Sequence, residues 1–77
     1  MKIFNLYRYE DESKVSGTGK VAQGCVFDNG KVVIAWLVQA KSLGIYDNLE
    51  EVEKIHGHNG KTKIDIIFDI PHPIRII

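Results

Sequence analysis

The feature that most constrains this chain is Asp28-Asn29-Gly30-Lys31, set between two apolar runs, residues 21–27 and 32–38. Asn-Gly tolerates the positive φ angles of a tight hairpin turn, whose twist matches that of paired strands. A two-residue loop predicts the register Phe27 opposite Val32, Cys25 opposite Ile34, Gln23 opposite Trp36 and Val21 opposite Val38. That set is the bulkier and is expected to face the core, with Cys25 as inert packing. The other face, with Val26, Val33, Ala35 and Leu37, is small yet still apolar, so a further element or a second subunit is expected to cover it.

Around this hairpin the other elements fall into place. Residues 3–9 (IFNLYRY) are β-branched and aromatic, which predicts a strand. Glycine-spaced Ser16-Gly17-Thr18-Gly19 reads as a loop. Residues 41–46 read as a short strand or an edge segment. A helix follows, with Asp47 or Asn48 as its N-cap and Glu50 or Glu51 closing a capping box. Leu49, Val52 and Ile55 are expected to pack on the sheet, and Gly57 to stop the helix as a C′ glycine. Residues 62–68 return as a strand, with Ile64, Ile66 and Phe68 on one side. The expectation is an α+β domain, β-β-β-β-α-β: an antiparallel sheet of about five strands, with one short helix packed on it. The domain spans 1–69, and 70–77 is a proline-containing apolar tail. Ile70, Ile74, Ile76 and Ile77 are costly to leave in water, and Pro71 and Pro73 bar the tail from a sheet centre.

Seventy-seven residues allow one domain, in which almost every apolar side chain must contribute. Ten basic side chains balance ten acidic ones, so no global field draws the chain to nucleic acid or an anionic membrane. Cys25 is the single cysteine, which excludes an internal disulfide and a multi-thiolate metal site. No stretch approaches the roughly 20 apolar residues needed to span a bilayer, and residues 1–12 carry no signal-peptide pattern. The expectation is a cytoplasmic protein.

The candidate chemistry is sparse. His56-Gly57-His58 offers two imidazoles where a metal site needs three or four ligands, so no metal is expected. Gly57-His58-Asn59-Gly60-Lys61-Thr62 falls two residues short of a phosphate loop and opens a strand rather than a helix. No nucleophile has a histidine at a readable spacing, and no cofactor is expected. Tyr7, Arg8 and Tyr9 with Lys20 are the candidate nucleic-acid contacts, against a competing reading as tyrosine pairs at a sheet edge.

Taken together, Ser16-Gly-Thr-Gly-Lys-Val-Ala-Gln-Gly24, Phe27-Asp-Asn-Gly30, Tyr46-Asp-Asn-Leu-Glu-Glu-Val-Glu-Lys-Ile-His-Gly-His58 and Gly60-Lys-Thr62 resemble a known pattern. It is shared by a family of short uncharacterised proteins from prokaryotes and their viruses. The resemblance covers about residues 4–66 and implies a shared fold, with no activity attached. The residues after Phe68 depart from it. Within this pattern Thr18, Tyr46, Asp47, His56, His58 and Lys61 are the candidate functional surface.

The expected function is a small non-enzymatic binding or accessory module. It would work by contact with a protein partner or with itself, the tail contributing to a homo-oligomer. The alternatives are a nucleic-acid-associated accessory protein and a small metal-dependent enzyme using the His-Gly-His turn.

Overall fold

The computed structural model describes residues 1–9, 18–38, 40–57 and 60–71. Strands β1 (Lys2–Arg8), β2 (Gly19–Val26), β3 (Val32–Trp36) and β4 (Leu43–Tyr46) precede helix α1 (Leu49–His56) and strand β5 (Thr62–Asp69). They form one five-stranded sheet in the order β4-β3-β2-β1-β5, antiparallel at every pairing. The helix therefore connects the two opposite edges of the sheet. The fold is the expected small α+β domain with a short helix packed on the sheet.

The hairpin forms, but its loop has three residues rather than two. Phe27 N–H donates to Lys31 O and Gly30 N–H to Phe27 O, both at 2.8 Å. Gly30 has φ +91°, whereas Asn29 stays out of the left-handed region that a two-residue type I′ loop requires of both central residues. Asn29 instead accepts from Lys31 N–H through its Oδ1. The extra loop residue slips β2 by one. Val26 pairs with Val32, Cys25 with Val33, Gly24 with Ile34 and Ala22 with Trp36. Because strand side chains alternate, this slip exchanges the two faces of β2. Val32, Ile34 and Trp36 face the core as expected, but Cys25 and Gln23 turn to the other side and Phe27 is exposed.

The core face is built in rows. Phe4, Gly24, Ile34 and Gly44 lie across the sheet in one, with Ile66 beyond Phe4; Leu6, Ala22 and Trp36 lie in the next, with Ile64 beyond Leu6. A bulge between Leu6 and Tyr7 leaves Val21 without a partner on β1. Val21 and its neighbour Ala22 are both fully buried, which strict alternation would forbid. A second bulge, opposite Ile3 and Phe4, takes up Ile67. It places Phe68 beside Ile3, away from Ile64 and Ile66, contrary to the side shared by all three in the sequence pattern.

Helix α1 begins where expected, Asn48 Oδ1 accepting from Glu51 N–H at 2.8 Å. Val52 is fully buried against the sheet, worth about 1.5–3 kcal/mol. The next turn presents His56 to the sheet, while Ile55 is exposed, because 3.6 residues per turn bring position 56 back under 49 and 52. Gly57 ends the helix with φ −67°, so it is not a left-handed cap; a Cβ there would lie 2.4 Å from the Glu53 carbonyl oxygen.

Candidate functional site

Three places hold the residues of interest. The first is an aromatic group at the β4 edge of the core. Tyr46 leans back along its own strand over Gly44, where any Cβ would lie 2.7 Å from the Tyr46 hydroxyl oxygen. The Tyr46 hydroxyl thus reaches His56 Nε2 at 2.8 Å. The His56 ring meets Trp36 edge-on at 4.8 Å and Tyr46 at 5.6 Å. Edge-to-face contacts at these distances stabilise aromatic groups beyond their burial. The structure thus joins two candidates, Tyr46 and His56, in a half-buried hydrogen bond that ties helix to sheet.

Asp47 is not part of that group. It is exposed and paired with Lys31 at 2.8 Å, joining the start of β3 to the end of β4. The Lys31 ammonium, by its hydrogen bond and then its charge, holds the Asp47 carboxyl below its ordinary range; the same bond raises the Lys31 amine. His58 lies outside the described residues, as do residues 10–17 of the glycine loop and residues 72–77 of the tail. Among the described residues, no group of three or more His, Cys, Asp or Glu side chains stands close enough to hold a metal ion.

The second place is the sheet end where β1 finishes. Arg8 pairs with Gly19 on one side and Thr62 on the other; Tyr7 pairs with Lys20 and Lys63. Tyr9 N–H donates to Lys61 O, and the Lys63 ammonium lies 6.0 Å from the Tyr9 ring centroid. Thr18, exposed, immediately precedes Gly19. The structure therefore gathers Tyr7, Arg8, Tyr9, Lys20, Lys61 and Thr18, candidates drawn from three segments. Thr62 and Lys63 complete the group. Thr62 was legible only as a polar residue in phase with Ile64 and Ile66, which marks it as inward-facing.

The third place was not foreseen as a unit. On the face opposite α1, Ile45, Val33, Cys25, Ile3 and Phe68 stand in register, one from each strand, in a continuous apolar row. Ile45 is 79% exposed and Phe68 62%. Leu43, on the same face of β4, is 74% exposed. A hairpin loop of unknown length and an unsuspected β5 bulge hid this alignment from the sequence.

No helix is long and apolar enough to cross a membrane among the described residues. No curated protein and no solved structure matches the chain significantly. A scan against protein families does find a match, over residues 1–68 and ending inside β5. The chain therefore belongs to the Acb5 phage protein family, in keeping with the expected family of short viral proteins.

Proposed function

We propose that this Acb5 family member is a small accessory binding module that acts by protein contact through the open face of its sheet. Its first occupant is a second copy of the chain. The observation that carries this reading is the apolar row from Ile45 to Phe68, extended by Leu43. At about 200 Å² for each fully exposed side chain of this size, Leu43, Ile45 and Phe68 leave roughly 400 Å² of apolar surface in water, the scale at which exposed patches mark contacts. The chain has no net charge to repel its copy, and two such faces pack as a sandwich. A two-fold axis would let each face meet itself.

Light scattering over a concentration series tests this. The wild type should run as a dimer at high-micromolar concentration and Ile45→Glu as a folded monomer, since Ile45 contributes little to the monomer's own core. Cys25, half-buried in the middle of the row, should react with a thiol reagent more slowly as protein concentration rises. A monomeric wild type refutes the self-association. Loss of the dimer on deleting residues 72–77, with Ile45→Glu unaffected, would assign the contact to the tail instead.

A further inference from the structure

We propose that the sheet end formed by Arg8, Gly19 and Thr62 binds a phosphate-type oxyanion. Arg8 Nε and Thr62 Oγ1 are buried and have no hydrogen-bond partner. They belong to directly paired residues of β1 and β5, so both side chains project from the same face. Thr62 as a whole is only 6% exposed, yet its hydroxyl is unused. No ion pair among the described residues involves Arg8. A buried donor without an acceptor is costly, more so on a charged group, and native proteins rarely keep one without a ligand, ion or water to receive it.

The β2 side of Arg8 is not filled by any described side chain. Arg8 is flanked on its other side by Gly19, and a Cβ built there meets nothing within 4 Å. Lys20 and Lys63 pair with Tyr7, and Lys61 precedes Thr62, so by strand alternation these lysines project from the other face and add positive charge to the sheet end without donating into the site. The nearby C-terminus of α1 opposes an anion, with about half a negative charge. That end is already engaged, since Gly57 O accepts from Gly60 and Thr62 N–H, and the Arg8 guanidinium carries a full positive charge against it. The donors are a guanidinium edge and a hydroxyl, which suit a tetrahedral oxyanion with several acceptor oxygens. The recognition is by side chains of adjacent strands and uses no phosphate-loop geometry. It is independent of the open sheet face, which lies on the other side of the sheet.

Titration of ¹⁵N-labelled full-length protein with inorganic phosphate provides the test, read at the Arg8 Nε–H resonance. That resonance should move saturably with a dissociation constant on the order of 1 mM. Thr62→Val should weaken the affinity roughly tenfold, the loss expected for one good hydrogen bond to an anion. Arg8→Gln should abolish it, with circular dichroism reporting whether the variant folds. Lys31→Gln, at the far end of the sheet, should change nothing. Three results would overturn the proposal. One is no Arg8 response to phosphate at about ten times that constant. Another is an equal response to acetate or chloride, which would make the end a general counter-ion surface. The third is a response confined to an added oligonucleotide, which would make it a polymer-binding surface. If Arg8→Gln fails to fold, the Thr62→Val titration decides alone.

Discussion

Gly24 tests the packing of the core most directly. A Cβ at this position would lie 2.4 Å from Phe4 Cζ, 2.9 Å from Phe4 Cε1 and 2.8 Å from the Val33 carbonyl oxygen. The Phe4 ring occupies the space that the missing side chain leaves, and it is itself fully buried. In Gly24→Ala the ring must tilt into Ile34, Val32 and Leu6, while Val33 O is held in the β2–β3 ladder and cannot yield. Overpacking of this kind costs about 1–3 kcal/mol, against which alanine recovers about 0.5–1 kcal/mol of backbone entropy. The expected net loss is about 1–2 kcal/mol, and for a chain of this size each kcal/mol lowers the melting temperature by about 4–8 °C. Thermal unfolding followed by circular dichroism would read a fall of roughly 5–15 °C. Phe4→Leu separates the two contacts. If the ring is the obstacle, Gly24→Ala should cost clearly less in the Phe4→Leu background than alone. A neutral or stabilising Gly24→Ala would refute the packing argument, and an undiminished cost in the double variant would move its cause to Val33 O.

Three further outcomes follow from single contacts. Tyr46→Phe removes the hydroxyl bonded to His56 Nε2 and should destabilise the domain by about 1 kcal/mol, seen as a shift of the urea midpoint without a change in slope. Lys41 is the one non-glycine residue with positive φ among those described, at 45°, so Lys41→Asn should raise stability by roughly 0.5 kcal/mol, read from the same denaturant curves. The Asp47 carboxyl titrates below its ordinary range because of Lys31, so its small contribution is present above the unfolded-state value and disappears as pH falls through the lowered one. In Lys31→Gln the Asp47 midpoint, followed by NMR, should rise toward the ordinary carboxylate value; high salt should move the wild-type midpoint the same way.

Much of the element order was legible because its signals are local. Asn48 and Glu51 mark a helix start by a bond three residues long, and Gly30 marks a turn by the one φ that it alone takes easily. Alternation in residues 62–68 put Ile64, Ile66 and Phe68 on one side, and the structure keeps the first two there. His56 stood out in the His-Gly-His turn and Tyr46 as part of the family pattern, though their bond needed Gly44 to let the ring lie flat.

The hairpin, the helix with its N-cap and the α+β class can be read from the residues alone, because each rests on positions close together in the chain. Tertiary structure alone decided which faces those elements present. Three residues in the Asp28 loop instead of two turned Cys25 outward; a bulge turned Val21 inward; another sent Phe68 to join Ile3. The pairing of β1 with β5, which sets Arg8 against Thr62, joins segments more than fifty residues apart. With a side-chain period of two, a register offset of one residue exchanges core for surface, and that offset is settled by the packing of all five strands together.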